Sequence, residues 1–157
     1  MIPAKISFRS LLAVCVLVSA ILLPSAGIPA ALPITILQVG PKALKVELAR
    51  TQEQREAGLM HRRELGEDEG MLFLYDRPQQ MMMYMKDTHI PLSVAFIDSA
   101  GVILEIRDMA PLDETPVLSV SRKIRFALEA NRGWFAKNGI APGATVKAGK
   151  SDLLSLF

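Results

Sequence analysis

Two sets of residues in this chain have side chains able to do chemistry. The first lies in residues 80–89, QMMMYMKDTH, which hold four of the eight methionines. In an extended strand, Met81, Met83 and Met85 face one way, and Met82, Tyr84 and Lys86 the other. A thioether is a soft ligand suited to Cu(I), and two or three converging sulfurs could hold that ion. A methionine is equally an adaptable filler of irregular cores. No histidine stands beside the run in a ligand pattern, so packing is the first reading and a Cu(I) site at Met81, Met83 and Met85 the alternative.

The second set centres on Glu129. It stands in the apolar run 123–130, with Leu128 and Ala130 directed to the opposite face. An acid so placed either faces solvent or is buried and paired. Arg62, Arg63, Lys86 and Arg125 are the candidate partners, and an ion pair is expected before acid–base catalysis. Lys86, Asp87 and Thr88 follow an apolar run and precede Pro91. They read as turn residues satisfying local backbone groups, or as the rim of a cleft in which Lys86 offers charge to an anion. His61 and His89 are the only histidines and lie far apart in sequence, so a histidine-based metal site has little support. Ser93, His89 and Asp87 make a triad only on paper, because strand alternation scatters them and no nucleophile elbow is present.

The elements around these residues begin with an unusual amino terminus. Lys5 and Arg9 are the only charges before Lys42, and residues 11–23 are almost wholly apolar. Small or helix-breaking residues follow, Pro24 to Gly27. Basic, apolar and small in that order describe a secretory signal peptide over residues 1–27, its apolar run shorter than the roughly twenty residues of a spanning helix. A retained leader would be the only membrane attachment. The one cysteine, Cys15, lies inside the leader, so the mature chain offers no disulfide, thiolate or cysteine-bound zinc. The expected location is periplasmic or secreted. The chain carries 18 basic and 16 acidic residues. Without Lys5 and Arg9 the signs balance, and Arg122-Lys123-Arg125 is the densest basic run, which argues against nucleic acid as a partner.

Residues 28–42 read as an extended segment, 43–150 as a single domain and 151–157 as a tail that docks or frays. Apolar alternation predicts strands over 34–39, 43–48, 71–75, 81–86, 92–97, 102–106, 117–120, 123–128 and 144–147. Thr51 and Gln54 form a capping box that opens a short helix ending near Gly58. A helical turn follows Asn131 and stops at Asn138-Gly139. Gly58, Gly70, Gly133 and Gly143 serve backbone conformation, and Pro91 marks a strand start. Many short strands with one or two short helices give a mainly β fold, a compact sandwich or partly closed barrel.

Several blocks, in order, carry a resemblance. They are Arg55-Glu56-Ala57-Gly58-Leu59-Met60, Glu64-Leu65 and Gly70-Met71-Leu72-Phe73; then Met85-Lys86-Asp87-Thr88, Ile90-Pro91-Leu92 and Phe96-Ile97-Asp98; then Ala127-Leu128-Glu129-Ala130-Asn131, Gly133, Gly139-Ile140 and Pro142-Gly143. Over about residues 43–147 the chain resembles domain-of-unknown-function family 192. The resemblance implies a compact, mainly β fold, often exported, with no settled activity. The chain departs from the family pattern at Met83, where an aromatic is common, and at Ser93 and Ala144, where an aspartate is common.

The reading that follows is an exported β domain acting as a non-catalytic binding or accessory module. Its cleft would be bordered by Met71, Met85, Lys86, Thr88 and Glu129, and its partner would be a small molecule or an envelope protein. The alternative is a small envelope hydrolase using Glu129, and Cu(I) binding by the methionine run is a third. No cofactor is implied.

Overall fold

Apolar residues recurring at every second position build most of the molecule. The computed structural model describes residues 31–157, so the expected leader and Cys15 lie outside the described residues. The strands are β1 Ile34–Val39, β2 Lys42–Ala49, β3 Glu69–Gln79, β4 Met82–Met83, β5 Leu92–Asp98, β6 Ile103–Met109, β7 Val117–Leu118, β8 Ile124–Asn131 and β9 Val146–Ala148. Seven of them form one sheet in the order β6-β5-β8-β3-β2-β1-β9, and β4 pairs with β7. The large sheet curls into a half-barrel, so the architecture is mainly β in its partly closed form.

β2 and β3 are parallel. A parallel pair needs a crossover connection, and residues 50–68 supply it. They include α1, Gln52–Ala57. Thr51 caps this helix as its sequence predicts: the Thr51 hydroxyl accepts from the Gln54 N–H at 3.2 Å, and the Gln54 side chain accepts from the Thr51 N–H at 3.0 Å. Gly58 ends it at φ +45°. The second helix, α2, is one turn, Trp134–Lys137, entered from Gly133 at φ +79°.

Both faces of the sheet are covered. One face packs Leu44, Val46, Leu72, Phe126 and Leu128 against Trp134 and Phe135 of α2. Met71, Phe73, Val94, Phe96 and Ala127 lie on the other, under Leu59 and the methionines 81, 83 and 85. Burying each large apolar side chain contributes about 1.5–3 kcal/mol, so the methionine segment is part of the second core. Ser119 holds that segment in place. Its hydroxyl accepts from the Met81 N–H at 2.9 Å, and its own N–H donates to the Met81 carbonyl at 2.9 Å.

The structure moves several expected boundaries. Residues 34–39, placed before the domain, form an interior strand between β2 and β9. Leu37 and Val39 are fully buried, so the alternation there marks a core strand despite the proline-rich approach. β3 runs past residue 75 through Pro78, tolerated because pairing with β2 ends at Phe73 and the β8 register shifts between Leu74 and Gln79. Only two residues of 81–86 pair as strand, yet the side chains alternate throughout. The tail docks: residues Leu153–Leu156 form a 3-10 turn with Leu153 buried, and the Phe157 ring lies 6.0 Å from that of Phe126. Ser93, the departure from the family pattern, donates to Asp108 Oδ1 at 2.5 Å and accepts from the Gly133 N–H at 2.9 Å, tying β5 to the start of α2.

Gly70 is required by proximity. A Cβ there would lie 2.3 Å from the backbone carbonyl oxygen of Glu129, which can move only with β8. Gly70→Ala is therefore expected to lower stability by about 2 kcal/mol or more, read as a fall in urea midpoint at unchanged m-value. Thr51→Ala, which removes only the cap, should cost about 1 kcal/mol by the same measurement.

Candidate functional site

Glu129 sits at the middle of β8, the strand flanked by β3 and β5. Its cross-strand neighbours are Met71 and Val94, both fully buried. All three side chains lie on the second face, and Glu129 is itself only 4 % exposed. Among the described residues its carboxyl makes no hydrogen bond and no ion pair. Burial alone raises its pKa from 4.5 to about 8, because a charge is disfavoured where water cannot solvate it.

The expectation of an ion pair at Glu129 is corrected here. Arg62 forks onto both carboxylate oxygens of Glu47, at 2.8 and 2.6 Å. Arg125 stacks 4.7 Å from the Phe157 ring centroid. Lys86 and Arg63 are exposed and bond nothing at Glu129. These cations lie on other edges or faces, and strand spacing without the strand order could not show that.

Glu129 faces a cleft of about 340 Å³. Phe73 and Tyr75 of β3, Leu59 after α1, Met83, Tyr84 and Thr88 share its walls, and Arg55, Glu56 and Gln79 stand among them. The alternation of β3 puts Met71, Phe73 and Tyr75 on the face that Glu129 occupies on β8. α1 then lays Arg55 over the Tyr75 ring, 4.6 Å from its centroid. The Arg55 guanidinium also donates to the Leu74 carbonyl at 3.0 Å and to the Arg50 carbonyl. Burial pushes the Tyr75 hydroxyl up, Arg55 opposes this and Glu129 adds to it.

Of the five expected cleft residues, Thr88 and Glu129 line the cavity. Met71 lies directly beside Glu129 but is sealed within the sheet, and Met85 is sealed beneath the cleft wall in the same apolar cluster. Lys86 is exposed and does not line the cavity. The Thr88 hydroxyl donates to the Lys86 carbonyl at 3.0 Å, which is the local turn role. Asp87 adopts φ +51°, and its carbonyl accepts from the His61 N–H at 2.7 Å. Of the three methionines considered as metal ligands, Met83 reaches the cleft, and all three enter the second apolar cluster. Among the described residues no three His, Cys, Asp or Glu side chains gather at one point. Sequence reasoning missed Leu59, Phe73, Tyr75, Tyr84 and Arg55. The signal for Phe73 and Tyr75 was the period of β3, usable once β3 is known to pair with β8.

The fold and site define a mainly β half-barrel domain with one aromatic-walled cleft over a buried acid. The chain belongs to the family described as Uncharacterized ACR, domain-of-unknown-function family 192, which matches residues 35–148. It is similar to a candidate transcription regulator of Sinorhizobium meliloti 1021, with 33 % identity and a TM-score of 0.72 over 76 % of this chain and 96 % of that one. It is also similar to a protein of unknown function from Novosphingobium aromaticivorans DSM 12444, with 35 % identity and a TM-score of 0.70 over 79 % of this chain and 89 % of that one. No curated protein matches the chain.

The raised pKa of Glu129 has a definite sign for stability. Below pH 4.5 both the folded and unfolded states hold the proton, so the group adds no pH dependence. Between 4.5 and about 8 the unfolded chain releases it and the folded chain keeps it, so stability falls as pH rises; above 8 the loss is complete. In urea titrations, Glu129→Gln should match the native chain near pH 4.5 and exceed it by several kcal/mol, on the order of 4, at pH 9. The difference between the two chains cancels the opposite contributions of Glu69 and Glu105, whose carboxyls are held below their usual range by Lys45 and by the Ser121 and Val120 N–H groups respectively.

Proposed function

We propose that this protein is an exported, non-catalytic binding or accessory module that takes a small molecule into the cleft over Glu129. The observation that carries the reading is the cleft itself: three aromatic rings and several apolar side chains set among polar ones, a volume in the range of small-molecule sites, and a buried acid that makes no hydrogen bond within the described residues. Export rests on the order of charge and hydropathy in residues 1–27. An envelope protein is the other partner class considered. The Sinorhizobium meliloti relative is described as a regulator of transcription, but nucleic acid suits this chain poorly. Its densest basic run is short, and Arg125 within it is turned onto Phe157.

The hydrolase alternative has one supporting feature, since an acid that keeps its proton near neutrality can protonate a leaving group. Hydrolysis needs a second group to activate water or attack. The other carboxyl at the cleft, Glu56, stands on the exposed α1 and accepts from the Gln52 amide at 2.7 Å. A single perturbed acid without a second such group beside it favours binding. Met81, whose sulfur lies 4.0 Å from the Gln79 amide nitrogen, and Met85 are each 2 % exposed, which favours packing over Cu(I).

Two measurements test this reading. Expressed with its leader, the chain should be recovered from the periplasm or medium beginning between residues 27 and 31; recovery of the full-length chain from the cytosol would contradict export. Native mass spectrometry of that material should show a retained small molecule that is lost in Leu59→Trp, where the indole fills the cleft. Bare protein in both, with or without Cu(I), would contradict the binding module, and a copper adduct lost in Met83→Leu would favour the metal alternative.

A further inference from the structure

Glu129 is anomalous among the carboxyls of the domain. Glu47 holds Arg62, Glu69 holds Lys45, Asp108 holds Ser93 and Arg132, and Glu105 accepts from the N–H groups of Val120 and Ser121. Glu129 is the most buried of these, and among the described residues nothing bonds it. A carboxyl this buried is costly in its charged form unless a partner compensates it. A purely structural β8 position between Met71 and Val94 would be served better by an apolar residue. The carboxyl instead borders a sizeable cavity lined by the Phe73, Tyr75 and Tyr84 rings, whose π faces can attract cations.

We infer that the cleft binds a small molecule carrying a primary or secondary ammonium group, with Glu129 as its counter-ion and Phe73, Tyr75 and Tyr84 as its aromatic walls. This rests on the binding-module reading and deepens it. The charged and titratable groups facing the cleft are Arg55 and Glu56 from α1, Tyr75 from β3, Tyr84 from the methionine segment and Glu129 from β8. Arg55 is committed to two backbone carbonyls and to Tyr75, which leaves it no reach to Glu129. Two carboxyls against one guanidinium give the cavity a negative balance once Glu129 ionises. An ammonium group supplies the missing donors and an ion pair in a poorly hydrated site. A divalent metal would need further ligands, and only Glu56 and Glu129 offer carboxylates there. A ligand carboxylate or phosphate would share the cavity with Glu56 and find its one guanidinium, Arg55, already bonded to two backbone carbonyls.

Ammonium binding must drive the proton off Glu129. Amine affinity should therefore rise up to tenfold per pH unit from pH 6 to about 8, then level while the amine stays charged. Calorimetric titration of the mature chain with 2-phenylethylamine and hexylamine, beside 2-phenylethanol and hexanol, reads this directly. Each amine should bind at least tenfold more tightly than its alcohol at pH 8.5, with about one proton released per amine at pH 6.5 in buffers of differing ionisation enthalpy. Glu129→Gln, which should fold more stably at pH 8.5, should erase both the preference and the proton release and still bind the alcohols. Alcohols bound as tightly as amines, in a manner abolished by Leu59→Trp, would overturn the ammonium inference and leave the binding cleft standing. No binding of any of the four probes at millimolar concentration would overturn both.

Discussion

One buried carboxyl organises this structure. Glu129 is placed by β8 on the apolar side of a seven-stranded sheet, with Met71 on one side and Val94 on the other. Strand alternation leaves it no other direction: Leu128 and Ala130 already fill the opposite core. No cation from the neighbouring elements reaches it, and the group keeps its proton past neutral pH. A carboxyl in this state is tolerable only beside a cavity that admits water or a ligand. The cleft between α1, β3 and the methionine segment is that cavity.

The methionine segment follows from the same arrangement. With α1 covering only part of the second face, an extended stretch must cover the rest. Met81, Met83 and Met85 do so from alternate positions, while Met82 and Tyr84 stay exposed at the cleft. Flexible thioethers suit a wall that is core on one side and cavity on the other. Its edge is fixed by Ser119, by the pairing of Met83 with Val117, and by the Met85 N–H donating to the Asp113 carbonyl at 3.0 Å. The chemistry suggested by a run of soft ligands thus has a packing explanation, and the family aromatic replaced by Met83 occupies a cleft-wall position.

Local patterns made much of the fold legible. The capping box at Thr51, the stop at Gly58 and the alternation of residues 81–86 all depend on neighbours in sequence. Strand order was not legible, because β3 meets β8 and β5 meets β8 across 25 or more intervening residues of chain. That gap explains what was misjudged. Glu129 stood out as an acid in an apolar strand, but its partners were sought among cations that the topology sends elsewhere. Thr88 and Glu129, named from the sequence, line the cavity; Phe73, Tyr75 and Leu59, not named, join it only through pairing and through the crossover after α1.

The most direct test of this account is a carbon-13 NMR titration of the side-chain carboxyl of Glu129 in the ligand-free protein. The account requires the carboxyl carbon to keep the shift of a protonated acid through pH 7 and to change with a midpoint near 8. A midpoint near 4.5, the ordinary value for a solvated or paired glutamate, would contradict it and remove the basis for reading the cleft as a site built around this residue.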